Sequence, residues 1–321
     1  MLKIGNFLVG QPDHCMIVAE IGINHNGDVH QAKLLIDAAH KAGCHAVKFQ
    51  KRTVDIVYSP EELAVPREVP SDVINLAIKR GVLSKERVAE LNETGETTNG
   101  DLKRALELTQ SEYKEIDEYC KSLGILWFAS PWDELSVDFL EQFNPPCHKV
   151  ASASLTDSGL LNHLRKTGRP IILSTGMSDV DMIAQAVGHL DPSNLVILHC
   201  TSVYPTFRSG QNDRGLSMIN LRGMKTLQDM YPGIPIGFSS HDLGIKPAYA
   251  SAVLGAVMIE KHLTLFRGMF GSDQASSIEA DDMARLVRAV EELPLVMGDG
   301  DIKFYDEERP VAKKLRRVSG D

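Results

Sequence analysis

Short apolar runs recur along the chain, and most are followed by a stretch carrying apolar residues at three- and four-residue spacing. The runs fall at 16–21, 46–49, 125–129, 149–151, 170–173, 195–200, 235–238 and 256–259. The helical patterns between them include 31–42, 110–123, 135–142, 180–189 and 281–293. Ser178 with Asp181 reads as an N-cap and first-turn acid, and Gly43 and Gly124 follow helix ends where a left-handed residue is wanted. Alternating β and α units predict parallel strands joined by helices. Eight strand candidates predict a (β/α)8 TIM barrel, with a Rossmann-like open sheet as the alternative. The first strand runs into EIGINHNG rather than GxGxxG, which weakens that alternative.

One segment breaks the rhythm. Between the second and third strands the chain runs from Lys51 to Gly124, with a Pro-rich start at 59–70, two helical pieces and a polar stretch at 92–101. A long insertion after the second strand of a barrel lies on the C-terminal face, where active sites form. Residues 299–321 are polar and carry Lys313, Lys314, Arg316 and Arg317. The expected organisation is a barrel over 1–300 and a solvated tail or linker over 301–321.

Composition narrows the function classes. A hydrophobic content of 43% excludes wholesale disorder, and 34 Lys+Arg against 43 Asp+Glu give a net charge of −9. Such a chain is a poor general binder of nucleic acid or anionic membrane, so cations for an anionic ligand must be focused in one pocket. Five scattered cysteines without a CxxC pair suit reduced thiols. The start lacks the apolar core of a signal peptide, and no apolar run approaches a membrane span. The expectation is a soluble, cytoplasmic protein.

Catalytic groups of a barrel project from strand C-terminal ends. Here those ends carry Glu20; Lys48 and Gln50 on one face; Ser130 and Asp133; Lys149, Ser152 and Ser154; Ser174 and Thr175; His199, Ser202 and Tyr204; Ser239 and His241; and Glu260 and His262. A lone lysine would more readily face outward or pair with Glu20. Lys48 and Lys149 together, among small hydroxyl residues, suit a phosphorylated and carboxylated substrate. His241 and His262, from neighbouring strands, suit a divalent ion such as Mn²⁺ or Zn²⁺ with positions left for water and substrate. His25 and His199 are open between substrate contact and strand-end packing.

The ordered set EIGINHNG, VKFQ, KVAS, ILSTGM, LHCTSVYP, IGFSSHD and IEKHLT resembles the sialic acid synthase family, which includes N-acetylneuraminate, legionaminate and pseudaminate synthases and a spore-coat polysaccharide protein. The resemblance runs from about Ile17 to Asp299. It implies a transferase that condenses phosphoenolpyruvate (PEP) with the open-chain aldehyde of an N-acylated hexosamine, usually N-acetylmannosamine, releasing phosphate and forming a nine-carbon 2-keto-3-deoxy acid. It implies His241 and His262 as ligands of a divalent metal, typically Mn²⁺. It sets Lys149, Ser152 and Ser130 at the PEP carboxylate, Lys48, Ser202, Tyr204 and Ser239 around its phosphate, and Glu20, Gln50 and Asp273 at the sugar. It also implies a homodimer.

Three departures matter. The family's KxxSxE segment reads KVASAS here, so Ser154 replaces a glutamate acid/base, and Asp133, Glu134 or a metal-bound water is the expected substitute. The family's phosphate-side asparagine has only Asn99 as a match. Many members add an antifreeze-like C-terminal domain that donates an arginine across a swapped dimer; this sequence stops at Asp321, either by truncation or because its subfamily does without. Two other readings are carried forward: a 3-deoxy-ulosonate synthase acting on another aldose, and a sugar- or PEP-binding homologue that has lost its chemistry.

Overall fold

The computed structural model describes residues 1–203 and 212–318. Two three-residue strands, β1 (Leu2–Ile4) and β2 (Phe7–Val9), form an antiparallel hairpin. Eight parallel strands follow: β3 (Met16–Gly22), β4 (Ala46–Lys51), β5 (Leu126–Pro131), β6 (His148–Val150), β7 (Ile171–Ser174), β8 (Leu195–Cys200), β9 (Ile236–Ser240) and β10 (Met258–His262). They are paired in the order β5-β4-β3-β10-β9-β8-β7-β6. β5 and β6 lie side by side, so the sheet closes into the (β/α)8 barrel that the alternating pattern predicts.

Strand alternation sorts the side chains. Outward residues such as Ile17, Ala19, Ile21, Val47, Phe49, Leu173 and Ile259 pack against the surrounding helices in the main core. Inward residues at the N-terminal end, including Met16, Val18, Ala46, Phe128, Ile172, Leu198 and Met258, form a separate apolar cluster. Ile4 and Val9 of the hairpin join that cluster, so the hairpin plugs the lower end of the barrel. The sequence pattern did not reveal it, because each strand is only three residues long.

Helix boundaries follow local chemistry. The helix Gln110–Leu123 starts with a Thr109/Glu112 capping box and ends at Gly124 in the left-handed conformation (φ 73°). At Val180–His189 the N-cap is Asp179, whose carboxylate accepts from Met182 N; Ser178 instead donates to the Gly176 carbonyl. Asp is as good a cap as Ser, so the boundary moves by one residue.

The insertion is more ordered than its sequence suggests. It holds the helices Val54–Val57, Pro60–Ala64, Ser71–Arg80, Lys85–Thr94 and Asn99–Leu106. Val73, Ile74, Ala77, Leu91, Leu102 and Ala105 give it a small core of its own. Residues 299–318 are exposed almost throughout and contain a 3-10 turn, Asp306–Glu308, running into a short α-helix, Arg309–Leu315. Among the described residues no helix is long and apolar enough to cross a membrane.

Candidate active site

The cavity at the C-terminal end of the barrel has a volume of about 380 Å³ and is lined from every quarter of the sheet. Register builds its floor. Glu20 of β3 sits opposite Lys48 of β4 and His262 of β10, and Glu260 of β10 sits opposite Ser239 of β9. Lys48 Nζ lies 3.2 Å from Glu20 Oε2 and 3.3 Å from Glu260 Oε2, and donates to Ser130 Oγ at 3.1 Å. Lys149 Nζ lies 3.7 Å from Glu260 Oε1, which also accepts from Ser239 Oγ at 3.1 Å. Gln50 Nε2 donates to Glu20 Oε1 at 3.1 Å. Gly22 (φ 54°) makes room for this cluster, since a Cβ there would stand 3.0 Å from Glu20 Oε1 and 3.1 Å from Gln50 Nε2.

All four charges are buried, which sets their protonation. Burial pushes the Glu20 carboxyl up to about 7, with Lys48 opposing. Burial pulls Lys149 down to about 8, with Glu260 opposing. For Glu260, burial acts upward, but Lys149 and Lys48 override it and hold the carboxyl at about 2. Glu260 is therefore the fixed anion that keeps two lysines together, while Glu20 is the carboxyl able to carry a proton near neutrality. Sequence reasoning noticed that Glu260 faces inward but gave it no role; its importance lies in distances to Lys48 and Lys149 that no spacing encodes.

Hydroxyls complete the wall. Ser152 Oγ accepts from Gly176 N at 3.1 Å, and Ser202 Oγ lies 3.6 Å from Cys200 Sγ. Ser174 Oγ lines the cavity, is buried, and has no hydrogen-bond partner among the described residues. A buried donor of that kind is available to a ligand oxygen.

His241 and His262 stand side by side, ring centroids 5.3 Å apart. His241 Nδ1 meets the Thr201 carbonyl at 2.9 Å, an arrangement that points Nε2 away from the backbone. His262 Nδ1 is 3.9 Å from Asp273 Oδ2. Burial, with His241 and Lys48 adding to it, holds His262 well below its ordinary pKa, so its ring is neutral. His241 is raised, because Cys200 outweighs the downward pull of burial. No cluster of three His, Cys, Asp or Glu able to hold a metal occurs among the described residues. The donor set fits a divalent ion held by two imidazoles, with its remaining positions supplied by substrate and water.

Of the residues singled out from sequence, Glu20, Lys48, Lys149, Gln50, Ser130, Ser152, Ser202, Ser239, Asp273, His241 and His262 all line this cavity. Three do not. Asp133 is the buried N-cap of the helix Glu134–Glu141, and its carboxylate accepts from Ser136 N, Ser136 Oγ, Thr53 N and Thr53 Oγ1 at 2.7–2.9 Å. Four donors saturate it and fix it away from the cavity, so it is not the stand-in for the glutamate missing at Ser154. Ser154 itself is buried in the turn Ser152–Ser154 and does not reach the cavity. Asn99 opens the helix Asn99–Leu106, bonded to Arg67 Nη1 and the Glu62 carbonyl, outside the cavity. Tyr204 lies outside the described residues.

The histidines left open resolve as packing groups. His25 Nδ1 accepts from Gly27 N at 3.0 Å and is held down to about 3 by burial. His199 bonds the Ile219 carbonyl and packs against Phe238. The NHNG motif is architectural as a whole. Asn24 donates to the Leu263 carbonyl and Ser277 Oγ, Asn26 donates to the Phe270 carbonyl, and a Cβ on Gly27 would strike the Ala105 carbonyl at 2.0 Å.

A sequence model of the NeuB family matches residues 35–302. The chain belongs to the NeuB family. The human N-acetylneuraminate-9-phosphate synthase is 34% identical over 310 residues, covering 96% of this chain and 78% of the relative. The N,N'-diacetyllegionaminic acid synthase of Legionella pneumophila is 33% identical over 310 residues, 94% of this chain and 79% of the relative. The crystal structure of the N-acetylneuraminic acid (sialic acid) synthetase of Leptospira borgpetersenii, in complex with citrate, matches with a TM-score of 0.75 at 27% identity, covering 99% of this chain and 98% of that one. These NeuB relatives are named as synthases, and this chain is an enzyme of that kind.

Insertion residues that sequence reasoning missed complete the NeuB cavity. Arg52, Tyr58 and Lys103 reach its mouth from beyond β4, and Trp132 reaches it from beyond β5. Nothing in their spacing signals this, because the path of the insertion decides it.

Proposed function

We propose that the chain condenses PEP with the aldehyde of an N-acylated hexosamine of the N-acetylmannosamine type, giving a nine-carbon 2-keto-3-deoxy acid and inorganic phosphate. The observation that carries this reading is the pair of buried ammonium groups, Lys48 and Lys149, among Ser130, Ser152, Ser174, Ser202 and Ser239 at the closed end of one cavity. Such an array suits a small, multiply anionic ligand: lysines offset the charge, and hydroxyls fit between its oxygens. The names of the NeuB relatives support the class of product.

In the reaction, C3 of PEP bonds to the aldehyde carbon, and the aldehyde oxygen takes up a proton. Water adds to C2, and the C2–O bond to phosphate breaks. Lys149 and Lys48 hold the PEP oxygens throughout and stabilise the charge on the leaving phosphate. Glu20, poised near neutrality and beside Gln50 and Asp273, is assigned proton transfer at the sugar oxygen. This takes the role that sequence reasoning sought for Asp133. His241 and His262 would hold a divalent metal, Mn²⁺ being the expected ion, which supplies Lewis-acid polarisation of the aldehyde oxygen when bound. A cytoplasmic location and a homodimer belong to the same reading.

The test is PEP consumption and phosphate release with Mn²⁺ against N-acetylmannosamine, its deoxy-diamino relatives and five-carbon aldoses. Turnover confined to the N-acylated hexosamines is expected. Turnover confined to other aldoses would replace this reading with a different 3-deoxy-ulosonate synthase. Binding of PEP without its consumption by any aldose would make the protein a non-catalytic homologue.

A further inference from the structure

His241 and His262 come from the ends of neighbouring strands, and the residues next to them in sequence, Asp242 and Lys261, form a buried ion pair 3.0 Å apart. Alternation turns Glu260 and His262 into the barrel, so Lys261 between them points outward into the helical layer. The previous outward residue of β10, Ile259, packs in the main core. Lys261 holds an equally covered place with a charged group. Its ammonium donates to Ser240 Oγ at 3.1 Å, to Asp242 Oδ1 at 3.0 Å and to the Asp242 carbonyl. Ser240 Oγ in turn donates to Asp242 Oδ1, and Asp242 Oδ2 accepts from Gly244 N at 3.1 Å. One side chain adjacent to His262 therefore grips the residues on either side of His241.

Stability alone is a weak reason for such a pair, because desolvation offsets the attraction and apolar residues of similar volume serve as well. The anion site is no reason either, since its lysines answer to Glu20 and Glu260 on the other face of the sheet. What the pair does supply is direction, three acceptors at the end of β9 fixed to one donor on β10. We infer that Lys261 and Asp242 are positioning residues that lock the His241 and His262 rings at the spacing a divalent ion requires. The Thr201 carbonyl holds the His241 ring from its far side at 2.9 Å, and the two ring centroids stand 5.3 Å apart. Loss of the pair frees the turn after β9 to shift against β10, and a ligand ring must stay within about 0.5 Å of its productive place.

This inference rests on the metal reading of the two histidines, and the experiment separates the two. The full chain, stripped of metal by chelator, is titrated with Mn²⁺ by calorimetry, with Tm recorded beside it. The proteins are the wild type, Lys261→Met and the double variant Lys261→Met/Asp242→Leu. The single variant strands a buried carboxylate and is expected to lower Tm by about 10 °C. The double variant removes both charges and is expected to return Tm to within about 3 °C of the wild type. Its Mn²⁺ affinity should still be about 10- to 100-fold weaker, the usual cost of losing a group that orients a metal ligand. At saturating Mn²⁺ the KM for PEP should move less than about threefold, since Lys48 and Lys149 are untouched. A purely structural pair predicts instead that Mn²⁺ affinity returns together with Tm. Affinity within about threefold of the wild type in the folded double variant would overturn the inference and leave the metal reading standing. The same threshold decides on Lys261→Met if only that variant folds. No binding of Mn²⁺, Zn²⁺ or Co²⁺ by the wild type would remove the metal reading, and the inference with it.

Discussion

The two ends of the barrel interior are built from the same strands with the same alternation, yet they are chemically opposite. The lower end is Met16, Val18, Ala46, Phe128, Ile172, Leu198 and Met258, sealed by Ile4 and Val9. The upper end, two residues further along several of those strands, is Glu20, Lys48, Ser130, Ser174, Glu260 and His262. Apolar burial at the bottom stabilises the fold. Four buried charges at the top are held in a mutual network whose desolvation is costly. One end of a barrel can thus supply stability to the other, where activity requires groups that stability alone would not select.

That division can be broken from either side. Phe128→Ala at the lower end removes a fully buried ring and is expected to cost about 3–5 kcal/mol of folding stability. Denaturant unfolding measures the loss, and kcat per folded molecule should change little. At the upper end, Lys149→Met is expected to lower kcat by about 100- to 1000-fold, as for removal of one preorganised charge-stabilising donor. Its Tm should fall by far less than that of Phe128→Ala, and steady-state kinetics beside a thermal scan checks both.

A smaller effect has a sign set by Glu20. Its folded pKa of about 7 exceeds its ordinary value, so its favourable contribution is present below about 4.5 and is lost as pH rises through about 7. Glu20→Gln cannot titrate, so its stability relative to the wild type should increase between pH 4.5 and 7. Urea midpoints at stepped pH values test this, and a difference that stays flat or falls would show that Glu20 is ionised throughout. The smallest effect is at Asp133→Asn, which keeps the helix cap but turns one of the two acceptor oxygens facing Thr53 and Ser136 into a donor, and is expected to cost about 1 kcal/mol. Turnover should stay within a few-fold, and a loss comparable to that of Lys149→Met would return Asp133 to the chemistry.

Much of this was legible in sequence for a simple reason. Period-two alternation at a strand end specifies which residues face inward, so Lys48 with Gln50, Ser239 with His241 and Glu260 with His262 could be paired without coordinates. What alternation cannot convey is long-range partnership. Asp133 looked like a free acid because its partner Thr53 lies 80 residues away. Glu260 looked like one polar residue among many until both lysines were found beside it. Arg52, Tyr58 and Lys103 were invisible because five insertion helices, not strand register, carry them back to the mouth. The hairpin plug was missed for want of length: three residues per strand are too few to establish a pattern.

The most direct measurement of the central claim is the equilibrium affinity for PEP, by calorimetry without sugar, of the wild type and Lys149→Met, each verified as folded by its thermal transition. If the upper layer is the anion site, the variant should bind PEP at least about 100-fold more weakly, equivalent to about 2.7 kcal/mol. Equal affinity in a folded Lys149→Met protein would contradict the assignment of the buried lysine cluster to PEP.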